Sequence, residues 1–395
     1  MMNKLILIVV VFVNVACSEF ESMTQADWAS LSGSKDVYIE NRVNVTAGKL
    51  DENCSDNSSY DACIIWKNPV AQEGDKLSED ILIDTNIFNF SYYGVQLRDR
   101  VSANQLKHNS FEIITANGEE IEPSSSMKNE KDNYVASDIA QLMAYYWGQR
   151  TIEVLELRTG YNYLKDADIK VYVNDNFNGW TSALNKIHLG KTQNEMPMAL
   201  NGEVIVYYFS LANISYANDD IVSDLSEDEK HLDCTGSDGG TVIKGCCKNE
   251  LGCSKALVSG LAEYQTALVF PESPIFGEGL ANSKTGQQRC SLSRAFYDLM
   301  EEEAVDVFEA CDEESKGDIY LLGSHLAAKL WQLRDQLSGR HLKNYLDVLI
   351  LASLEELEPE DDFETYFEKL LILDEDMQNL LQDDLEELAS SQDWL

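Results

Sequence analysis

The sequence predicts an α+β protein in which a β-rich N-terminal domain is followed by an α+β domain with a mainly helical C-terminal lobe. Short runs of alternating polar and apolar residues, broken by Gly, Asn, Asp or Ser, fill the early part of the chain. Apolar residues at helical three-and-four spacing begin near residue 134 and recur through most of the second half. The chain has 395 residues, more than the roughly 100 to 200 expected of one domain, so more than one domain is expected.

The strand predictions lie mainly before residue 125. The segments "DVYIENRVNV", "ACIIW", "DILIDTNIFNFSYY" and "NSFEIITANGEEIE" are each typical of a strand that ends at turn-forming residues. A polar patch at 123–133 then leads into a predicted helix whose apolar face carries Ile139, Leu142, Met143, Tyr146 and Trp147. A strand, "DIKVYVND", and a buried helix, "NGEVIVYYFSLANISYA", follow it.

The acidic segment Leu354–Leu395 is predicted to be a solvated pair of amphipathic helices. Leucines recur among its carboxylates, and Lys369 is its single basic residue. A calcium-binding EF-hand is the alternative, but its loop needs alternating ligands around a central glycine, which this segment does not contain.

Charge narrows the range of partners. The chain has 30 Lys and Arg against 69 Asp and Glu, a formal net charge of −39. Such a charge disfavours binding to nucleic acid and to anionic lipid surfaces, and it is compatible with a solvated surface or with a basic partner. We predict no nucleic-acid partner and no cofactor.

The first sixteen residues have the layout of an export signal. One lysine precedes a short apolar run that is less than the about 20 residues needed to span a membrane. The sequence around Cys17 resembles the lipobox of bacterial lipoproteins, although Asn14 departs from the usual aliphatic residue. The resemblance implies lipidation of Cys17, a membrane partner through that anchor, and an outer-membrane location on the periplasmic or surface face; plain secretion is the alternative.

The predicted segments are a signal peptide (1–16), a tether (17–35), a β-rich domain (36–130), an upper lobe (131–270) and a helical lobe with an acidic tail (271–395).

Cysteine number supports export, since nine cysteines minus Cys17 leave an even set. Cys54 with Cys63 is the most local disulfide pairing. Four others, near residues 234 to 253, could in principle bind zinc as thiolates, but an oxidising compartment favours disulfides. The disulfide candidates are Cys54, Cys63, Cys234, Cys246, Cys247, Cys253, Cys290 and Cys311.

Four segments, in order, resemble the gluzincin metallopeptidases of the thermolysin and fungalysin type. They are "VNDNFNGWTSALNKIHLGKT" with "ALNGEVIVYYFSLANI", then "SGLAEYQTALVF", then "GDIYLLGSHLAAKLW". The resemblance covers residues from about 134 to 351 and implies a zincin-like fold. The family's HExxH motif is absent, and the family's site positions fall on Tyr207 and Leu211 (zinc-binding His), Tyr208 (general base), Ser259 (third ligand), Glu263 (the retained acid) and Tyr320 (stabilising His).

These replacements predict a protein that does not catalyse proteolysis. A catalytic zinc needs about three N, O or S donors and one open position for water. Leu211 offers no donor, and a phenol with an unperturbed pKa near 10 is a poor general base at neutral pH. We therefore expect an inactive relative of a zinc metallopeptidase that acts as a binding or scaffold protein, with a protein or peptide partner.

Two alternatives remain open at this level. The first is an exported metal-dependent hydrolase with a remodelled site that uses Glu263, Tyr208 and His325. The second places the motif at "KNELGCSKAL", with Asn249 and Cys253 in the His positions and Glu250 as the base. That placement leaves only a short excursion to Ser259.

Overall fold

A computed structural model describes residues 62–65, 92–101, 105–115, 136–173, 175, 178–190, 198–219, 221, 250–270, 319–392 and 394. Within these ranges the protein is mixed α+β, as the sequence predicts. The predicted export signal and the tether lie outside the described residues, as does the first part (271–318) of the predicted helical lobe. So do the side chains of all nine cysteines.

Two short strands form a separate antiparallel ribbon. Strand β1 (Ala62–Ile65) pairs with β2 (Tyr92–Val95), with Ala62 opposite Val95. Strand β1 lies within the predicted segment "ACIIW", whereas β2 overlaps only the last two residues of "DILIDTNIFNFSYY" and continues past its end. The rest of that segment and "DVYIENRVNV" lie outside the described residues.

The larger sheet has four strands in the order β3-β4-β6-β5. Strands β3 (Phe111–Thr115), β4 (Ile169–Val173) and β6 (Lys186–Leu189) are parallel, and β5 (Gly179–Thr181) pairs antiparallel with β6. Helix α1 (Ala136–Thr159) connects β3 to β4, which gives the long crossover that adjacent parallel strands require. The sheet thus joins a strand from the predicted β-rich segment to strands of the predicted upper lobe, across the boundary at residues 130 and 131.

One face of this sheet forms part of the core. Val171, Ile187 and Trp180 are opposite one another on neighbouring strands and are buried, and Trp180 approaches Tyr216 of the next helix. Successive side chains of a strand point to opposite faces, so Tyr172 and His188 lie on the other face.

Helix α2 (Gly202–Ala217) is the buried helix predicted from "NGEVIVYYFSLANISYA". Asn201 caps it, because its Oδ1 accepts hydrogen bonds from the backbone N–H groups of Glu203 (2.9 Å) and Val204 (3.3 Å). Gly148 of α1 allows α2 to approach closely, since a Cβ there would lie 2.5 Å from the Phe209 ring. Phe209 then reaches Phe111 of β3, with ring centroids 5.0 Å apart.

The remaining helices are α3 (Glu250–Val269), α4 (Ile319–Leu337), α5 (Lys343–Ala352), α6 (Phe363–Met377) and α7 (Gln382–Ser391). Asp362 and Thr365 form a capping box at the start of α6. The buried carboxylate of Asp374 holds the turn after α6, because it accepts the N–H groups of Leu380 and Leu381 and the hydroxyl of Tyr345. The predicted acidic helix pair is confirmed as α6 and α7.

Candidate functional site

Helices α2 and α3 lie side by side and are joined by two buried polar contacts. The Tyr207 hydroxyl and the Ser259 Oγ are 2.9 Å apart, and the Asn213 Nδ2 donates to the Gln265 Oε1 at 3.0 Å. The two residues of each pair are 52 positions apart in the chain, so the chain runs in the same direction along both helices. The structure therefore brings together two of the residues singled out from the sequence, Tyr207 and Ser259.

All six predicted site positions are buried. Ser259 is 0% exposed, Tyr207 1% and Glu263 3%, and the Tyr207 ring packs edge-on against the Tyr208 ring at 5.5 Å between centroids. Little of the surface of these residues is therefore open to solvent or to a ligand. The other buried positions are Tyr208, Leu211 and Tyr320.

Helix α4 closes a further side of the site through backbone contact with α3. A Cβ placed on Gly260 would lie 2.6 Å from the Gly323 carbonyl oxygen, and one on Gly323 would lie 3.1 Å from the Ser259 Cβ. Tyr320 lies one helical turn before Gly323. With the backbones this close, no side chain or ligand fits between α3 and α4 at the level of Ser259.

Sequence reasoning missed these two glycines. Glycine in a helix interior costs stability, and its presence often indicates a close approach of backbones. Both Gly260 and Gly323 stand inside strongly helical patterns, "SGLAEY" and "LLGSHL". A glycine inside each helical pattern was therefore the sequence signal for a close contact between these helices.

The donor chemistry of the site is poor for a metal ion. Ser259 is already hydrogen-bonded to Tyr207, Leu211 offers only hydrocarbon, and Glu263 is the single carboxylate among the six positions. Among the residues that the structure describes, no three His, Cys, Asp or Glu side chains are grouped so that they could hold a metal.

His325 belongs to a different face of α4. It follows Gly323 by two residues, which places it roughly 200° around the helix from the contact with α3. Its Nε2 is 3.0 Å from the Gln392 Oε1, and its ring lies edge-on to Trp394 with centroids 6.0 Å apart. The contacts of His325 with Gln392 and Trp394 are thus on the side of α4 that faces the segment after α7.

The competing placement of the motif at "KNELGCSKAL" does not fit the helices. Glu250, Cys253 and Ser259 all lie on the single helix α3. A site built from two successive helices cannot have its first part and its third ligand on one continuous helix of this length. Asn249 lies outside the described residues.

A second polar arrangement, which the sequence did not single out, lies on the sheet. The His188 Nδ1 is 2.6 Å from the Asp175 Oδ2, and the His188 ring stacks on Tyr172 with centroids 5.4 Å apart. A carboxylate in this position orients the imidazole ring. Because His188 lies on the sheet face opposite to Trp180 and α2, the pair is separate from the predicted site.

Comparison with known proteins adds no assignment. The chain matches no protein-family model and has no significant match among curated proteins. Within the described ranges, no helix is both long enough and apolar enough to cross a membrane.

Proposed function

We propose that this chain is a non-catalytic, metallopeptidase-like protein of the cell envelope that acts as a binding or scaffold protein. The observation that carries the proposal is the buried hydrogen bond between Tyr207 and Ser259. These residues occupy the positions at which the resembled family has its first and third zinc ligands. Here the two side chains bind each other.

The chemistry at the other positions supports the same conclusion. Zinc catalysis requires three donors and an open coordination position at which water reaches the metal. Leu211 supplies no donor, and both Tyr207 and Ser259 are already paired and buried. A substrate would also need access to a site that α2, α3 and α4 close by direct packing.

The zincin-like fold is part of the proposal. It rests on the ordered sequence resemblance, and the adjacency of α2, α3 and α4 is compatible with it. The α+β class and the sheet are more general features that many unrelated proteins share.

The envelope location is also part of the proposal and rests on the sequence alone. It depends on the export signal in residues 1–16 and on the lipobox-like sequence before Cys17, which would tether the protein to a membrane. The partner would then be a protein or peptide of the envelope, and the net charge of −39 is compatible with a partner that carries basic groups.

The decisive experiment is metal analysis of the native protein together with a proteolysis assay. We expect no stoichiometric metal and no cleavage of casein that a chelator abolishes. Stoichiometric zinc with chelator-sensitive cleavage would overturn the proposal. If cleavage is found, the variants Glu263→Gln and Tyr208→Phe show where it comes from. Loss of cleavage in both variants would favour the remodelled hydrolase. Cleavage retained in both would indicate a contaminating peptidase.

A further inference from the structure

Helix α7 and the two described residues after it form a unit that packs onto the rest of the helical lobe through a narrow apolar strip. Leu385, Ala389 and Trp394 are buried, while most of the polar residues of α7 are exposed. The Trp394 backbone N–H donates to the Ala389 carbonyl at 2.8 Å, so the chain turns back after the helix. We refer to α7 together with Gln392 and Trp394 as the latch.

Trp394 attaches the latch to an aromatic seat formed by His325, Phe363 and Phe367. The indole is 0% exposed and stacks on Phe367 with centroids 5.3 Å apart and an interplanar angle of 24°. Phe363 and His325 contact it edge-on at 5.3 and 6.0 Å. Gln392 adds the contact with the His325 Nε2.

The Trp394 side chain also has a polar group, the indole N–H, inside this apolar contact. Among the described residues, the buried Trp394 Nε1–H has no hydrogen-bond acceptor. A buried donor without an acceptor has lost its hydration with no replacement, which costs free energy in the closed state. The contacts that hold the latch among the described residues are thus mainly apolar.

Helices α6 and α7 both carry an excess of negative charge. Helix α7 carries four acids and no base, and it packs beside α6, which carries five acids and one lysine. That lysine, Lys369, is already bound to Asp361 at 2.8 Å and to Glu358 at 3.3 Å. Asp384 of α7 forms an exposed ion pair with Arg340, whose Nη1 lies 2.7 Å from the carboxylate.

We propose that the latch undocks as a unit and that ionic strength controls its position. At low ionic strength the repulsion between α6 and α7 extends over a long Debye length and favours opening, whereas salt screens it and favours closure. Salt also weakens the Arg340–Asp384 pair, but one exposed pair contributes little to stability. Opening uncovers the aromatic seat formed by α4 and α6, so the latch is a conformational device that regulates access to this face.

Hydrogen exchange of the full chain tests the proposal, with α5 as the internal reference. We expect amides of α7 to exchange about tenfold faster in about 10 mM salt than in about 500 mM salt, while amides of α5 change little. Equal protection of α7 in both salts, or faster exchange at high salt, would contradict it.

Variants separate the latch from a general effect of the net charge. Asp383→Asn with Glu386→Gln and Glu387→Gln should remove the salt dependence in α7. The matched control neutralises three exposed acids elsewhere, Glu156→Gln, Asp166→Asn and Asp219→Asn, and should leave it unchanged. If both triple variants abolish the dependence equally, repulsion over the whole chain is responsible and the latch proposal is wrong.

A third variant tests the seat itself. Trp394→Ala should give fast exchange in α7 at both salt concentrations, and Trp394→Phe should restore part of the protection. Protection of α7 that is unaffected by Trp394→Ala would show that the indole does not hold the latch.

Discussion

Tyr207 and Ser259 show how the identity of single residues determines what this site can do. A His or Glu at these positions would present a donor to a metal, but a phenol and a hydroxyl satisfy each other across two helices. The sequence predicts both residues as replacements of ligands. It does not predict that they bind each other, because a separation of 52 positions in the chain does not determine their distance in space.

The strength of this contact can be measured by a double-mutant cycle. Tyr207→Phe removes one hydroxyl and leaves the Ser259 Oγ buried without that partner, so we expect a loss of about 1–3 kcal/mol in the free energy of unfolding. Adding Ser259→Ala to Tyr207→Phe should cost less than Ser259→Ala does in the wild type. Urea denaturation of the four proteins gives the coupling energy. Strictly additive losses would show that the hydrogen bond does not stabilise the fold.

At the level of elements, helix positions follow from the sequence far better than helix contacts do. The apolar residues of "YVASDIAQLMAYYWGQRT" and of "GEVIVYYFSLANISYA" predict α1 and α2 because helix formation is governed by neighbours three and four residues apart. The contact between α3 and α4 depends on Gly260 and Gly323, which are far apart in the chain. Only packing reveals that the two lie together.

Substitution of these glycines tests the contact between α3 and α4. A Cβ at residue 260 would lie 2.6 Å from a backbone oxygen of α4, which cannot rotate away as a side chain can. We expect Gly260→Ala to lower the free energy of unfolding by about 1–3 kcal/mol through overpacking.

Gly339 supplies the matched control. It lies in the 3₁₀ turn Ser338–Arg340, a Cβ added to it would meet no atom within 4 Å, and it does not have a positive φ. Gly339→Ala should change stability by less than about 0.5 kcal/mol. Equal effects of the two substitutions in thermal or urea denaturation would argue against the close helix contact.

At the scale of the whole molecule, a buried ion pair between the successive helices α4 and α5 also binds the more distant α3. The Arg334 Nε and Nη2 donate to the two carboxylate oxygens of Asp347 at 2.7 and 2.9 Å, and the Tyr264 hydroxyl donates to the Asp347 Oδ1 at 2.6 Å. Burial, reinforced by the charge of Asp347, raises the pKa of Tyr264 well above its ordinary value, so the phenol remains a donor. Asp347 is 0% exposed, so this network joins α3, α4 and α5 inside the core.

Breaking this pair on one side should be more damaging than replacing both members. Asp347→Asn leaves the Arg334 guanidinium buried without its counter-ion, and we expect a loss of about 3–5 kcal/mol in the free energy of unfolding. Arg334→Met combined with Asp347→Leu should lower the free energy of unfolding by less than Asp347→Asn alone, because neither member of the charge pair remains buried.

The ion pair between Lys107 and Glu112, with its atoms 3.6 Å apart and the Lys107 side chain 39% exposed, is the control for this test. Lys107→Gln should lower the free energy of unfolding by no more than about 1 kcal/mol, since Glu112 keeps its ion pair with Lys170 and no charge is left without a partner. If Asp347→Asn lowers the free energy of unfolding in urea denaturation by no more than Lys107→Gln does, the buried ion pair does not stabilise the contact between these helices.

The sequence by itself determined the α+β class, the positions of the main helices and of strands β3 and β4, and the residue types at the six site positions. These features depend on local periodicity and composition, which can be recognised within a few turns of helix or one strand. The tertiary structure alone decided that Tyr207 pairs with Ser259, that His325 lies on another face of α4 with Trp394, and that β3 joins the sheet of the following segment. Each of these is a contact between residues far apart in the chain, and no local pattern encodes which distant side chains meet when the apolar faces are buried.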